Sequence, residues 1–160
     1  PDVYQGSELW ETSLVDPDNR RPVDFALRAR MLAELDEAHA RGELPDVGDD
    51  AAAKLLVTSR ALRLRRDRPE LYTRYTPMTV VGEAADHAVA FDRGGAIAVA
   101  TRLPVGLAAR GGWGETSLML PAGRFVDVIR SRRVAGGVRP VAELLHTYPV
   151  ALLASEATHD

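Results

Sequence analysis

The sequence predicts an α+β chain: a mainly helical first part over residues 1–74, then a small antiparallel β-sandwich over residues 75–160. Three observations predict this. Up to about residue 67, apolar residues recur at three- and four-residue spacing. After Tyr75 that period gives way to short β-favouring runs, and glycine-bearing turns separate several of those runs. The 160 residues, 46% hydrophobic and 27% charged, have the globular balance needed to bury a core.

Val3 and Tyr4 form an apolar stub that reads as the end of a buried strand, and Gly6 marks a tight bend after it. The chain opens on Pro1 without an initiator methionine, so the expectation is a piece of a longer protein. From Glu11 to Pro22 a polar loop holds Asp16-Pro17-Asp18-Asn19-Arg20-Arg21-Pro22, where two prolines and three Asx residues argue against helix or central strand. A helix then follows, with Asp24 as its N-cap. Its inner face carries Leu27, Met31, Leu35 and Ala38, and Gly42 is its stop. A second helix is expected from Ala51 to Asp67, capped by Asp49 or Asp50 and ended ahead of Pro69. Leu55, Leu56, Ser59, Leu62 and Arg66 trace its inward stripe, with Arg60, Arg63 and Asp67 facing water. Strands are expected at Thr79–Val81, Ala88–Asp92, Ala96–Thr101, Thr116–Leu120, Phe125–Ile129 and Val150–Ala154. Val141 to Leu145 reads as a strand or a short helical turn. Turns fall at Asp92-Arg93-Gly94-Gly95, Gly111-Gly112 and Pro121-Ala122-Gly123.

Charge and composition exclude several function classes. A net charge of −3 is too small for a polyanionic or polycationic partner. The arginine-rich stretch from Arg60 to Arg68 is interrupted by Leu62 and Leu64, and Asp67 stands four residues after Arg63. It reads as a solvated or inter-domain helix face rather than a nucleic-acid surface. Cysteine is absent, which removes disulfides and thiolate metal sites. No apolar run approaches the roughly 20 residues of a membrane span, and no signal segment opens the chain. The expectation is a soluble, cytoplasmic chain with no membrane partner.

Among residues that could carry chemistry, Asp16 to Arg21 is the densest cluster of functional groups. A carboxylate beside a planar guanidinium can hold sugar hydroxyls by directional hydrogen bonds. The alternative is an Asx-turn loop whose charges pair locally. His39, His87, His146 and His159 sit in no metal-binding spacing, so no metal is expected. Ser7 lacks the G-x-S-x-G elbow of a hydrolase nucleophile. Gly94-Gly95 and the Gly111-Gly112-Trp113-Gly114 run do not open a helix after a strand, as a phosphate loop would. Trp113 could stack on a sugar, or could be a half-buried sandwich residue.

The opening PDVYQGSELW resembles the eighth-strand segment of the α-amylase clan, glycoside hydrolase family 13, and SLVDPDNRRPVDF narrows the resemblance to the maltooligosyl trehalose synthase family. The later segments KLLVTSRALRLRRDRPELY, DHAVAFDRGGAIAVATRLP, GGWGETSLMLPAG and YPVALLASE fit the C-terminal part of that family too. The resemblance implies that residues 1–74 are the end of a catalytic (β/α)8 barrel: a strand-8 stub, an active-site loop and two helices. It implies an isomerase that turns the reducing-end α-1,4 bond of a maltooligosaccharide into an α,α-1,1 bond, working by retention without a cofactor. The clan's catalytic carboxylates lie on earlier strands, so the resemblance assigns no catalytic residue here and implies a chain inactive alone. It places Arg20, by position before Pro22, in the pocket wall, with Arg21 as the fallback and Asp16, Asp18 and Asn19 as neighbours. Tyr4, Gln5 and Glu8 would shape the base of that loop. Alternatives are another clan hydrolase or 4-α-glucanotransferase, or a non-catalytic glucan-binding or packing module. The implied partners are the maltooligosaccharide and the rest of the barrel. Without that barrel, exposed apolar surface is expected to bring dimerisation of the chain, disorder before about residue 20, or both.

Overall fold

A computed structural model describes residues 4–14, 16 and 20–156. The chain divides into two compact units, Pro1–Leu62 and Arg63–Asp160. The first holds helix α1 (Phe25–Ala40) and most of helix α2 (Ala52–Asp67). The second holds strands β1 (Thr76–Pro77), β2 (Val80–Val81), β3 (Ala88–Asp92), β4 (Ala96–Thr101), β5 (Ser117–Asp127), β6 (Arg132–Pro140) and β7 (Val150–Ser155). Short helices α3 (Pro104–Ala109) and α4 (Val141–Leu144) interrupt them.

Local signals set both long helices. The Asp24 carboxylate accepts from the Leu27 N–H at 2.7 Å, giving one of the first-turn donors of α1 the partner it otherwise lacks. At the other end Gly42 adopts φ +80°, and the Glu43 N–H reaches back to the Ala38 carbonyl at 2.9 Å. Asp50, one of the two expected caps, accepts from the Ala52 N–H at 3.0 Å. Along α2 the buried residues are Ala52, Ala53, Leu55 and Leu56, whereas Leu62 and Arg66 are exposed rather than turned inward. The stripe is corrected because Leu64, not Leu62, meets an apolar group, packing against Leu71, Ala96 and Ala154.

The second unit differs from the expected two-sheet sandwich. Its strands form one continuous antiparallel sheet, in the order β1-β3-β4-β7-β5-β2, with β6 also paired to β5. The cause lies at Pro121-Ala122-Gly123, which is not a turn between two strands but an irregularity inside one. The pairing of β5 with β6 shifts register between Leu120 and Arg124. Proline supplies no ladder donor and Gly123 takes φ +123°, so the strand breaks register without ending. Gly136 of β6 makes the close approach feasible, since a Cβ there would lie 2.1 Å from the Pro121 carbonyl oxygen. The first part of β5 pairs with β2 and the last part with β7, so one strand serves both regions of the sheet.

The larger buried cluster of this unit draws on both parts of β5. Ile97 and Val99 of β4, Ala151 and Leu153 of β7, and Leu118, Leu120 and Phe125 from both parts of β5 pack together with Val134, Val141 and Leu144. Burying each of the larger of these side chains, the valines, leucines, isoleucine and phenylalanine, contributes roughly 1.5–3 kcal/mol. Residues 141–145 resolve as a helical turn, because Val141 and Leu144 both point into that core. Strand β6 and helix α3 are elements the sequence did not announce. Among the described residues, no helix is long and apolar enough to cross a membrane.

Candidate functional site

The polar loop ahead of α1 carries the candidate binding residues, and long-range bonds within the first unit hold the segment that leads into it. Residues 5–8 form a turn in which Gly6 adopts φ +92°, and the Ser7 N–H bonds to the Tyr4 carbonyl at 3.2 Å. Arg28, one turn into α1, donates Nη2 to the Gly6 carbonyl at 2.7 Å and Nε to the Glu8 carboxylate at 3.2 Å. Glu8 thus ties the turn ahead of the loop to α1. From α2, Lys54 donates to the Leu9 carbonyl at 2.7 Å, and its ammonium lies 5.0 Å from the centre of the Trp10 ring.

Asp16 and Arg20 form a forked ion pair. The Arg20 Nη2 donates to one Asp16 carboxylate oxygen at 2.8 Å and Nε contacts the other. Both side chains stay largely exposed, so the pair presents its unused donor and acceptor positions to solvent. Arg21 is exposed beside them. Asp18 and Asn19 lie outside the described residues. A cavity of about 180 Å³ opens next to this loop, lined by Tyr4, Gln5, Ser7, Glu11 and Ser13. The Ser13 hydroxyl and backbone N–H both bond to Glu11, which holds its carboxyl below the usual range and ionised. An array of hydroxyl, amide, carboxylate and guanidinium groups can accept and donate along the edge of a sugar.

The other candidates behave differently. Trp113 packs against the core of the second unit, the half-buried alternative of its two readings. His87 places Nδ1 3.2 Å from the Leu103 carbonyl, and His159 lies outside the described residues. Among the described residues, no three His, Asp or Glu side chains are grouped to hold a metal ion. Sequence reasoning missed Lys54 and Arg28 as anchors of the segment leading into the loop. Their partners stand 45 and 22 residues away, beyond any local spacing rule.

No family model matches the chain. Two Mycobacterium tuberculosis proteins described as maltooligosyl trehalose synthase, from strains CDC 1551 / Oshkosh and ATCC 25618 / H37Rv, are each 46% identical to it over 156 residues. That match takes in 96% of this chain and 18% of each relative. The solved maltooligosyltrehalose synthase of Arthrobacter ramosus superposes with a TM-score of 0.89 at 56% identity, covering 98% of this chain and 20% of that one. A glycosyltrehalose synthase structure, DSM5389, gives a TM-score of 0.69 at 25% identity, over 98% of this chain and 18% of its own. Over nearly its whole length, then, the chain is similar in sequence and in fold to maltooligosyl trehalose synthases, and it spans about a fifth of their length.

Proposed function

We propose that this chain is the C-terminal part of a cytoplasmic α-glucan isomerase of glycoside hydrolase family 13. On this reading the parent enzyme converts the reducing-end α-1,4 bond of a maltooligosaccharide into an α,α-1,1 bond, leaving a trehalosyl end. The observation that carries the reading is the 56% identity and 0.89 TM-score shared with a solved enzyme of that name.

In this reading residues 1–74 close a (β/α)8 barrel and residues 75–160 form its C-terminal domain. Barrel active sites lie at the C-terminal ends of the strands, where the loop of Asp16 and Arg20 would stand as part of the pocket wall. A retaining mechanism needs a carboxylate nucleophile and a carboxylic acid. The family pattern puts neither on this chain, whose contribution is to hold sugar hydroxyls and help exclude water. Exclusion of water favours re-attack by the released glucose over hydrolysis. Arg20, with Asp16 fixing its plane, is the principal contact; Arg21, Asp18 and Asn19 are its neighbours. The exposed Leu14, Phe25 and Leu27 suit packing against the rest of a barrel, or against a second copy when the chain is isolated.

The test is the product formed by the intact protein from maltopentaose. A non-reducing pentasaccharide supports the proposal. Release of glucose and maltose, or redistribution into longer and shorter maltooligosaccharides, would instead make it a hydrolase or a 4-α-glucanotransferase.

A further inference from the structure

We infer that Trp10 is a stacking platform for a glucose ring of the bound α-1,4-glucan, held ready by Lys54; the inference rests on the glucan reading above. The chain has two tryptophans and they are placed in opposite ways. Trp113 packs on the core, while Trp10 remains 58% exposed in the loop that continues to Asp16 and Arg20.

An exposed tryptophan is ordinarily free to turn, but this one is held. The Lys54 ammonium, carried on the rigid frame of α2, stands 5.0 Å from the ring centre, and the same nitrogen bonds to the carbonyl of the preceding residue, Leu9, at 2.7 Å. One cation thus fixes both the backbone and the ring. Lys54 is also the only lysine in a chain whose other basic residues are arginines. A compact ammonium with rotatable donors can serve ring and carbonyl together, whereas a planar guanidinium is built for forked recognition.

With the ammonium over the ring, the exposed remainder of the indole is a flat apolar surface of fixed orientation. Beside it in sequence, Tyr4, Gln5, Ser7, Glu11 and Ser13 line the cavity of about 180 Å³, whose mostly apolar wall is edged by their hydroxyl, amide and carboxylate groups. A pyranose needs both kinds of surface: an aromatic plane for its C–H face and hydrogen-bonding groups for its hydroxyl edge. Pre-fixing the ring removes an ordering cost from binding. Trp10 is therefore an affinity and chain-length determinant and takes no part in bond breaking.

The test labels the intact protein with 5-fluorotryptophan and assigns the Trp10 fluorine resonance by its loss in Trp10→Phe. Adding maltoheptaose is expected to shift that resonance with the dissociation constant found by calorimetry. Trp10→Ala is expected to raise KM about tenfold with the product unchanged, and Trp10→Phe to recover most of that loss. Glucan binding with the Trp10 resonance unmoved, or an unchanged KM in Trp10→Ala, overturns the inference while the isomerase reading stands. Failure of the unmodified protein to bind or convert any glucan removes the isomerase reading, and this inference with it. Should Trp10→Ala fail to fold, the resonance of the unmodified protein decides.

Discussion

Asp127 and Arg130, three residues apart at the end of β5, form an ion pair of 2.8 Å in the interior of the second unit, their side chains 0% and 6% exposed. The Asp127 carboxylate also accepts from the N–H groups of Ile129 and Arg130. The guanidinium donates to the carbonyls of Leu144, Tyr148 and Val150, tying the segment between α4 and β7 to β5. Burial pushes the Asp127 carboxyl above its usual range and the Arg130 guanidinium below its own. Desolvation outweighs the mutual attraction, so the pair serves to fix this segment more than to add net stability.

Replacing Arg130 by methionine strands a carboxylate in the core. The expected loss is about 3–5 kcal/mol, read as a shift of the urea midpoint with the slope unchanged.

Gly136 tests the bulge in β5. Because a Cβ there meets the Pro121 carbonyl at 2.1 Å, Gly136→Ala must displace backbone, and a loss of about 1–3 kcal/mol or more is expected in chemical denaturation. Gly48→Ala is the control. Its Cβ meets nothing within 4 Å, and its stability should be unchanged.

These two sites show what the sequence could and could not carry. Helices α1 and α2 were legible because their signals are local: apolar spacing, Asp24 and Asp50 as caps, Gly42 as a stop. Strands β3, β4 and β7 were legible as apolar runs. The bulge was not, since Pro121-Ala122-Gly123 has the residues of a turn, and only the close approach of Gly136 keeps the strand whole. Strand β6 was hidden by its arginines and glycines, which suit a strand with few buried positions. In the loop, Asp16 and Arg20 stand four apart and were legible as a cluster. The anchors Arg28 and Lys54 were not, because tertiary contacts alone bring them to Gly6, Glu8, Leu9 and Trp10.

Asp92 predicts an acid response. Burial opposes its charge, but Arg74 at 2.6 Å and the N–H groups of Gly94 and Gly95 outweigh that, holding the carboxyl below its usual range. A depressed folded-state value contributes stability that is present above the unfolded value of about 3.9 and lost as pH falls through the folded one. Denaturation followed from pH 6 down to pH 2 should therefore show a steeper acid loss in the unmodified chain than in Asp92→Asn.

The cap of α1 is a smaller effect. Asp24→Ala should cost about 1 kcal/mol, visible as a lower midpoint and faster amide exchange in the first turn of α1.

The most direct test of the central claim is the effect of Arg20→Ala on trehalosyl formation by the intact protein. The Asp16–Arg20 pair is exposed, so its loss should change stability by no more than about 1 kcal/mol. A charge-assisted bond to the sugar is worth more, and kcat/KM should fall about 10- to 100-fold with the melting temperature unchanged. Formation of the α,α-1,1 product at an unaltered rate by a folded Arg20→Ala protein would contradict the account.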